Sequence, residues 1–323
     1  MHLANLFLAL VLDRLVGDPD WLWRRLPHPV VFFGQAIGFA DRRFNREEDA
    51  PELRRRKGTV AIAVLVAVSL VIGGSLHVVL RQLGFAGFVI EVVIVAVFIA
   101  QKSLADHVAA VGAAMRSGGL PAARRAVSMI VGRDPEQLDR PAVIRAAIES
   151  LSENFSDGVV APVLWYAIGG LPGLLAYKMI NTADSMVGHL SPRHRDFGRA
   201  SARLDDLVNW PAARLSAALV AGGALIASGR HASEAATRTA LRDAGLHRSP
   251  NAGWPEAAMA GALGLALGGP RSYGGAPVSA PCLNATGRRD ATLSDLAVAL
   301  SVYHQSCNIA AAITLGGVLV CLG

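Results

Sequence analysis

Two neighbouring stretches constrain this chain more than anything else in it. Residues 60–80 contain no Asp, Glu, Lys or Arg, and residues 84–100 contain only Glu91. A helix needs about 20 mostly apolar residues to cross the hydrocarbon core of a bilayer. The pair therefore predicts two membrane spans that turn at Arg81-Gln82. Glu91 inside the second is a site candidate, or else a carboxyl protonated or paired against another helix. Composition agrees with a membrane chain: 52% of the 323 residues are hydrophobic and 17% are charged, against about 25% charged in soluble domains. A soluble enzyme fits poorly, and disorder, collagen and coiled coil are excluded. Residues 296–322 form a further candidate span with Tyr303, His304, Gln305 and Asn308 in its middle. Residues 3–12 are short for a span and suit a tilted span ending at Asp13-Arg14, or a re-entrant or surface helix. The start lacks a basic segment and a small-residue cleavage site, so it reads as mature chain.

Charge gives orientation. Arg42, Arg43, Arg46, Arg54, Arg55, Arg56 and Lys57 precede the first span, and Lys102, Arg116, Arg124, Arg125, Arg133, Arg140 and Arg145 follow the second. If 60–100 is a hairpin, both sets share one side, and basic loops stay in the cytoplasm. Juxtamembrane bases explain the net +6 without nucleic acid, since no basic, aromatic-laced patch accompanies them. Cys282, Cys307 and Cys321 show neither CxxC nor zinc spacing and give no disulfide framework. Amphipathic helices are predicted over 105–117 and 121–131, punctuated by Ser117-Gly118-Gly119, and another starts at Pro141 behind an Asp139 cap. Alternating strand patterns are absent. The expected fold is all-α and polytopic, with broken or re-entrant helices: one membrane-embedded domain over 1–323, with a cytoplasmic helical insertion at about 102–158. No oligomeric state follows from the sequence.

Polar chemistry is concentrated between Glu149 and Glu256, in four groups. In ESLSENFSDGVVAPV, Glu149, Glu153 and Asp157 fall at i, i+4 and i+8, one helical face of carboxylates. Like charges at that spacing cost roughly 0.2–0.5 kcal/mol per pair, a sign that a metal or cationic partner would reverse; a solvated acidic face is the plain alternative. In LAYKMINTADSMVGH, Lys178, Asn181, Asp184/Ser185 and Gly188 line one face and Ile180, Ala183 and Val187 another. Amide, carboxylate, hydroxyl and ammonium together suit magnesium and phosphate; a cap and a snorkelling lysine would also account for them. In ASARLDDLVNWPAARL, Arg203 can pair with Asp206, while Asp205 and Asp206 point to different faces; Asn209 and Arg214 continue the polar run. In SPNAGWPEAAMAGALG, Pro255 suits a first helical turn and Glu256 gains from the helix dipole, with Asn251 and Gly253 in a turn before it. No P-loop, dinucleotide-binding glycine motif, nucleophile elbow or HExxH is present, and no Ser–His or Cys–His pair stands out.

At these groups the chain resembles the adenosylcobinamide-phosphate synthase family of cobalamin biosynthesis. The resemblance starts at Gly17-Asp18-Pro19 and Pro27-His28-Pro29-Val30. It continues through SEN..DGVVAP from Ser152, NTADSMVGH from Asn181, SARLDD from Ser201 and SPNAGWPEAAMAGAL from Ser249, in the family's order. It departs at Ala183, where a larger apolar residue is usual, and at His189-Leu190-Ser191-Pro192, which puts local substrate contacts in question. The resemblance implies an inner-membrane ligase with its active site facing the cytoplasm. Such an enzyme uses ATP and Mg2+ to join the free propionate of adenosylcobyric acid, a corrinoid, to the amine of aminopropanol phosphate or ethanolamine phosphate. It implies a metal set drawn from Asp157, Asp184, Asp205 and Asp206, with Asp184, Asp205 and Asp206 foremost, and phosphate binding by Lys178, Arg203 and Arg214. A base is implied at Glu153 or Glu256. Asn154, Asn181, Ser185, Asn209, Asn251 and Trp254 are the further substrate contacts. A corrinoid transporter and a catalytically silent membrane relative stay open beside the ligase.

One conflict needs a structural answer. Residues 159–180 and 208–228 are each long enough to span, which would put 181–207 outside the cytoplasm despite Arg193, Arg195, Arg199 and Arg203. Each is interrupted, by Gly169-Gly170-Leu171-Pro172-Gly173 and by Gly222-Gly223. Broken helices are tolerated at membrane depth where protein buries them or a wet cavity is lined. The expectation is that at least the first turns back or lines a cavity open to the cytoplasm, where the four groups meet.

Overall fold

The computed structural model describes residues 2–132, 135–269, 271–273, 276–278 and 281–322; Arg133, one of the orienting charges, lies outside them. In chain order the helices are α1 (His2–Val16), α2 (Asp20–Trp23), α3 (Pro29–Phe44), α4 (Pro51–Gln82), α5 (Phe85–Val97), α6 (Gln101–Val127), α7 (Arg140–Phe155), α8 (Ala161–Val187), α9 (Arg199–Ser228), α10 (Arg230–Asp243), α11 (Gly253–Leu263) and α12 (Leu293–Leu322). A π-helical turn, Ser156–Val160, joins α7 to α8. Among the described residues, short strands β1 (Leu267–Gly268), β2 (Arg271–Tyr273), β3 (Ala276–Val278) and β4 (Cys282–Leu283) pair β1 with β4 and β2 with β3, both antiparallel. Among the described residues, five helical stretches are long and apolar enough to cross a membrane: Pro51–Gln82, Phe85–Val127, Arg140–Val187, Arg199–Ser228 and Leu293–Cys321. The protein is an all-α, multi-pass membrane protein.

The chain divides into two compact units, Met1–Ile99 with Ala161–Asn209, and Ala100–Val160 with Trp210–Gly323. The segment expected as an insertion supplies α6 and α7 to the second.

In the first unit the hairpin of α4 and α5 turns at Gly84, whose φ of 57° favours glycine. The helix α5 ends at Val97, three residues before the end of the expected 84–100 span, and opens the apolar stretch Phe85–Val127. Helix α1 buries Asn5, Leu6, Ala9, Leu10 and Asp13; it is not among the five long apolar stretches. The core of α3, α4 and α8 gathers Ile37, Ile62, Met179, Ala183 and Val187, with Phe33, Leu65 and Leu204 against it. Helix α8 breaks where the glycines predict: Gly170 has φ 58° and ψ −149°, and Pro172 follows. A Cβ on Gly73 of α4 would lie 2.6 Å from the Pro172 Cα, so the two helices approach as only glycine permits.

A polar clasp ties the loop after α8 to the ends of α3 and α4. Asn45 donates to Asp41 Oδ1 at 2.7 Å and to the Arg193 carbonyl at 3.0 Å. Arg54 Nε donates to Asn45 Oδ1 at 2.8 Å and its Nη2 to the Arg193 carbonyl. Arg193 Nη2 donates to Asp41 Oδ2 at 3.0 Å, and Arg55 Nε to Asp196 at 2.8 Å. Burial alone would raise the Asp41 carboxyl; the hydrogen bonds from Asn45 and Arg193 outweigh it and hold it below its usual value. Part of the basic segment is thus structural, where charge counting reads only orientation.

In the second unit the helices expected over 105–117 and 121–131 make up α6, which breaks between them at Gly119 (φ 66°, ψ −160°) ahead of Pro121, as Ser117-Gly118-Gly119 predicts. Helix α7 starts as predicted. Asp139 accepts the Ala142 N–H at 2.8 Å with a proline in the first turn, a cap worth about 1 kcal/mol. Its inner face, Val143, Ile144, Ile148, Leu151 and Phe155, is buried, and Phe155 meets Tyr303 of α12 edge-on at 5.4 Å. The Gly222-Gly223 pair does not break α9, which runs unbroken through it. Gly223 instead admits α12: a Cβ there would press on the Val302 carbonyl and Ser306, whose hydroxyl donates to the Leu219 carbonyl at 3.0 Å. Small residues serve this purpose wherever membrane helices pack closely.

Candidate functional site

The first unit assembles α8 and the first turns of α9. The 3.6 period of NTADSMV turns Met179, Ile180, Ala183 and Val187 into the core and leaves Lys178, Asn181 and Asp184 half-buried and Ser185 exposed. Across from them α9 presents Asp205 and Asn209, both buried, and Asp206, half-buried; Arg203 is exposed. Three hydrogen bonds fix the pairing. Trp165 Nε1 donates to the Val208 carbonyl at 3.0 Å, the Tyr177 hydroxyl to Asn209 Oδ1 at 3.0 Å, and Asn181 Nδ2 to Asp205 Oδ1 at 3.4 Å. Asp184 lies within electrostatic reach of both Asp205 and Asp206. The structure therefore brings Asn181, Asp184, Asp205 and Asp206 into one neighbourhood. Carboxylates and an amide are hard oxygen donors, a set that fits Mg2+ and not a thiophilic metal.

Two residues that sequence reasoning did not select stand near this face. His28 Nε2 is 3.9 Å from Asp18 Oδ1, and Lys178 lies within electrostatic reach of His28. Burial holds the His28 imidazole below its usual value, with Asp18 pulling the other way. The GDP and PHPV motifs were the available signal, since they carry Asp18 and His28.

The second unit places Arg214 against two indoles. Its guanidinium carbon lies 4.3 Å from the Trp210 ring centroid and 4.8 Å from that of Trp254. Nη1 donates to the Trp210 carbonyl at 3.0 Å and to Asn251 Oδ1 at 3.2 Å. The turn that supplies Asn251 is built by Ser249, whose Oγ accepts the N–H groups of Asn251 and Ala252, both at 3.2 Å. Glu256, 1% exposed in the first turn of α11, has Oε1 3.7 Å from His247 Nε2. Arg214, Asn251 and Trp254 thus converge, with Glu256 on the helix that begins just beyond their turn.

The predicted stripe of Glu149, Glu153 and Asp157 does not form as one face. Glu149 is buried and accepts the Gly268 N–H at 2.8 Å, Glu153 is exposed, and Asp157 lies in the π turn. A π turn widens the helix by an extra residue and re-aims the side chains beyond it, which an i, i+4, i+8 count cannot anticipate. Asn154, exposed, donates to the Ser150 carbonyl at 2.9 Å and lines a cavity of about 410 Å3 with His107, Ser150 and Gly158.

Fold and site together define a class: a multi-pass, all-α membrane protein whose helices carry an oxygen-donor cluster and a guanidinium held against aromatic rings. Residues 6–303 match the family described as CobD/Cbib protein. Proteins described as "Cobalamin biosynthesis protein CobD" are similar along nearly their whole length. One from Sinorhizobium sp is 61% identical over 97% of each chain. One from Brucella suis is 52% identical over 99% of this chain and 98% of its own, and one from Rhodobacter capsulatus 45% over 94% and 93%. No solved structure matches. The chain belongs to the CobD/Cbib family.

Proposed function

We propose that this protein acts in cobalamin biosynthesis as an ATP- and Mg2+-dependent amide ligase. It joins the propionate of adenosylcobyric acid to the amine of aminopropanol phosphate or ethanolamine phosphate and yields adenosylcobinamide phosphate. Relatives matching nearly end to end carry a cobalamin-biosynthesis name. The observation that carries the chemistry is Arg214, a planar cation clamped by Trp210, Trp254 and Asn251. Such a fork binds phosphate oxygens with fixed geometry.

A carboxylate is a poor electrophile, so its oxygen first attacks the γ-phosphorus of ATP and ADP departs. The amine then attacks the acyl carbon, the C–O bond to phosphate breaks, and phosphate leaves as the amide forms. Mg2+, when bound, neutralises charge on the phosphates. Asp184, Asp205 and Asp206 would hold it, with Asn181 beside them. Lys178, Arg203 and Arg214 bind phosphate oxygens, and Ser185, Asn154, Asn209, Asn251 and Trp254 position substrates. Glu153 or Glu256 takes the proton of the attacking ammonium; Asp157 is a further carboxylate for metal or phosphate charge. An inner-membrane location with the site open to the cytoplasm gives access to ATP.

The broken helix at Gly170 favours a second reading, a corrinoid transporter, because carriers build their sites from such breaks. Purified protein incubated with adenosylcobyric acid, aminopropanol phosphate, ATP and Mg2+ should yield the amide by mass, with one ADP per product. Corrinoid movement across vesicles without ATP consumption or amide would replace the ligase by the transporter.

A further inference from the structure

A second polar group lies in the first unit, at the turn between α4 and α5, around the buried Glu91. His2 of α1, His77 of α4 and Glu91 of α5 each offer one ligating atom, and these atoms all lie within 4.8 Å of one another. His77 Nδ1 is 3.4 Å from Glu91 Oε2, and the His2 and His77 ring centroids are 5.1 Å apart. Glu91 Oε1 accepts the Tyr166 hydroxyl at 2.6 Å, which engages that oxygen and leaves Oε2 facing His77. A cavity of about 430 Å3 adjoins the group, walled also by Asn5, Arg81 and Phe88.

A buried carboxylate that needed only to be satisfied would have Tyr166 and require neither imidazole. Two further atoms argue for an occupant. Among the described residues, His77 Nδ1 and Asn5 Oδ1 are buried without a hydrogen bond, and Asn5, 4% exposed, lines the cavity. An amide oxygen in that position is costly unless something donates to it.

We propose that His2, His77 and Glu91 bind a divalent transition metal of the zinc class, with a fourth position open to the cavity beside Asn5. Two imidazole nitrogens and one carboxylate oxygen are the donor set of an open zinc site, whereas Mg2+ takes oxygens alone. The two metals are therefore separable by chemistry. Ligand atoms around tetrahedral zinc stand about 3.3 Å apart. The His77–Glu91 pair is already at that spacing, and His2 closes the rest by side-chain rotation. Tyr166 is the outer partner that orients the carboxylate, as metal-bound ligands generally require. Water held at the fourth position would donate to Asn5 Oδ1. The metal ties α1 to the α4–α5 turn and, through Tyr166, to α8 just ahead of its break at Gly170. A Cβ at Gly170 would lie 2.9 Å from His2 Cε1, so the broken segment leaves room for the ring. Arg81 in the cavity wall opposes a dication, so Arg81→Gln should tighten binding.

Full-length protein carrying a non-histidine tag at its C-terminus, stripped with chelator in detergent and dialysed against micromolar Zn2+, should retain about one zinc per chain by mass spectrometry. His2→Gln, His77→Gln and Glu91→Gln should each weaken zinc binding at least about 10-fold, and Tyr166→Phe should weaken it by a similar factor. Zn2+ should raise the melting temperature of wild type and not that of His2→Gln, whose side chain lies near the chain end. A single symmetric gel-filtration peak is the control for folding. Wild type that binds no more zinc than His2→Gln, or melts at the same temperature with and without Zn2+, overturns the site, whether or not amide ligation is observed.

Discussion

At the scale of the residue, Arg214 is held by two indoles, Trp210 and Trp254, and by a hydrogen bond to Asn251. Lysine would keep the charge but lose the stack and the fork. Under the proposed function, Arg214→Lys should lower kcat/KM for a phosphorylated amine at least about 10-fold, since a charge-assisted bidentate contact is lost. It should change ligation of an unphosphorylated amine far less; equal losses would mark Arg214 as structural. Trp254→Ala should cost about 0.5–2 kcal/mol of stability, the range of a partly desolvated cation–π contact, read as a shifted unfolding midpoint in detergent. This clamp was only half legible in the sequence. Arg214, Asn251 and Trp254 stand out as polar or aromatic groups in an apolar chain, but the fold alone closes the separation between α9 and the turn before α11. Most of the inward face of α8 was legible, because a 3.6 period sets Ile180, Ala183 and Val187 apart from Lys178 and Asn181 without knowledge of any neighbour; Met179, also in the core, was not selected. Asp18 and His28 were passed over because nothing local in GDP or PHPV marks a polar pair.

At the scale of the element, glycine decides where helices break and where they touch, and sequence distinguishes the two poorly. Gly169-Gly170 and Gly222-Gly223 look alike, yet only the first lies at a break. Pro172 two residues on makes the difference, since it removes a donor and clashes with the turn before it. The consequence is testable within one dipeptide. Gly170 has φ 58° and ψ −149°, a region essentially closed to other residues. Gly170→Ala should therefore cost about 1–3 kcal/mol and lower the melting temperature in detergent. Gly169 has ordinary backbone and open space where a Cβ would go, so Gly169→Ala should leave stability unchanged or slightly raised. If the two variants melt alike, the break is not where the strain resides. The π turn at Ser156–Val160 is filled by Ser, Asp, Gly and Val, weak helix formers that signal a disturbed helix without specifying a π turn.

At the scale of the whole molecule, the clasp of Asp41, Asn45, Arg54 and Arg193 links pH, stability and topology. Asp41 is held below the usual carboxylate value, so its charged form is favoured by folding. The stability it contributes is complete above about pH 4 and is lost as pH falls further, toward the depressed folded value. Melting temperature should be insensitive to Asp41 between pH 7 and 5 and drop below about pH 4. Asp41→Asn should melt lower at neutral pH and show a shallower acid limb; parallel curves would remove Asp41 as the cause. The same hydrogen bonds answer the topological conflict within the first unit. Asn45 and Arg54 both bond the Arg193 carbonyl, and Arg55 bonds Asp196, so the loop after α8 and the basic start of α4 lie on one side of the membrane. Under the orientation proposed from the basic loops, both face the cytoplasm. Glu48 and Leu190 are exposed in these two segments and can report it. In a background with Cys282, Cys307 and Cys321 replaced by serine, Glu48→Cys and Leu190→Cys should each react with an impermeant thiol reagent only when it has access to the cytoplasmic face of oriented vesicles. Labelling of the two from opposite faces would break the clasp as a description of the membrane protein, and labelling of both from the outer face would invert the orientation that the arginines imply.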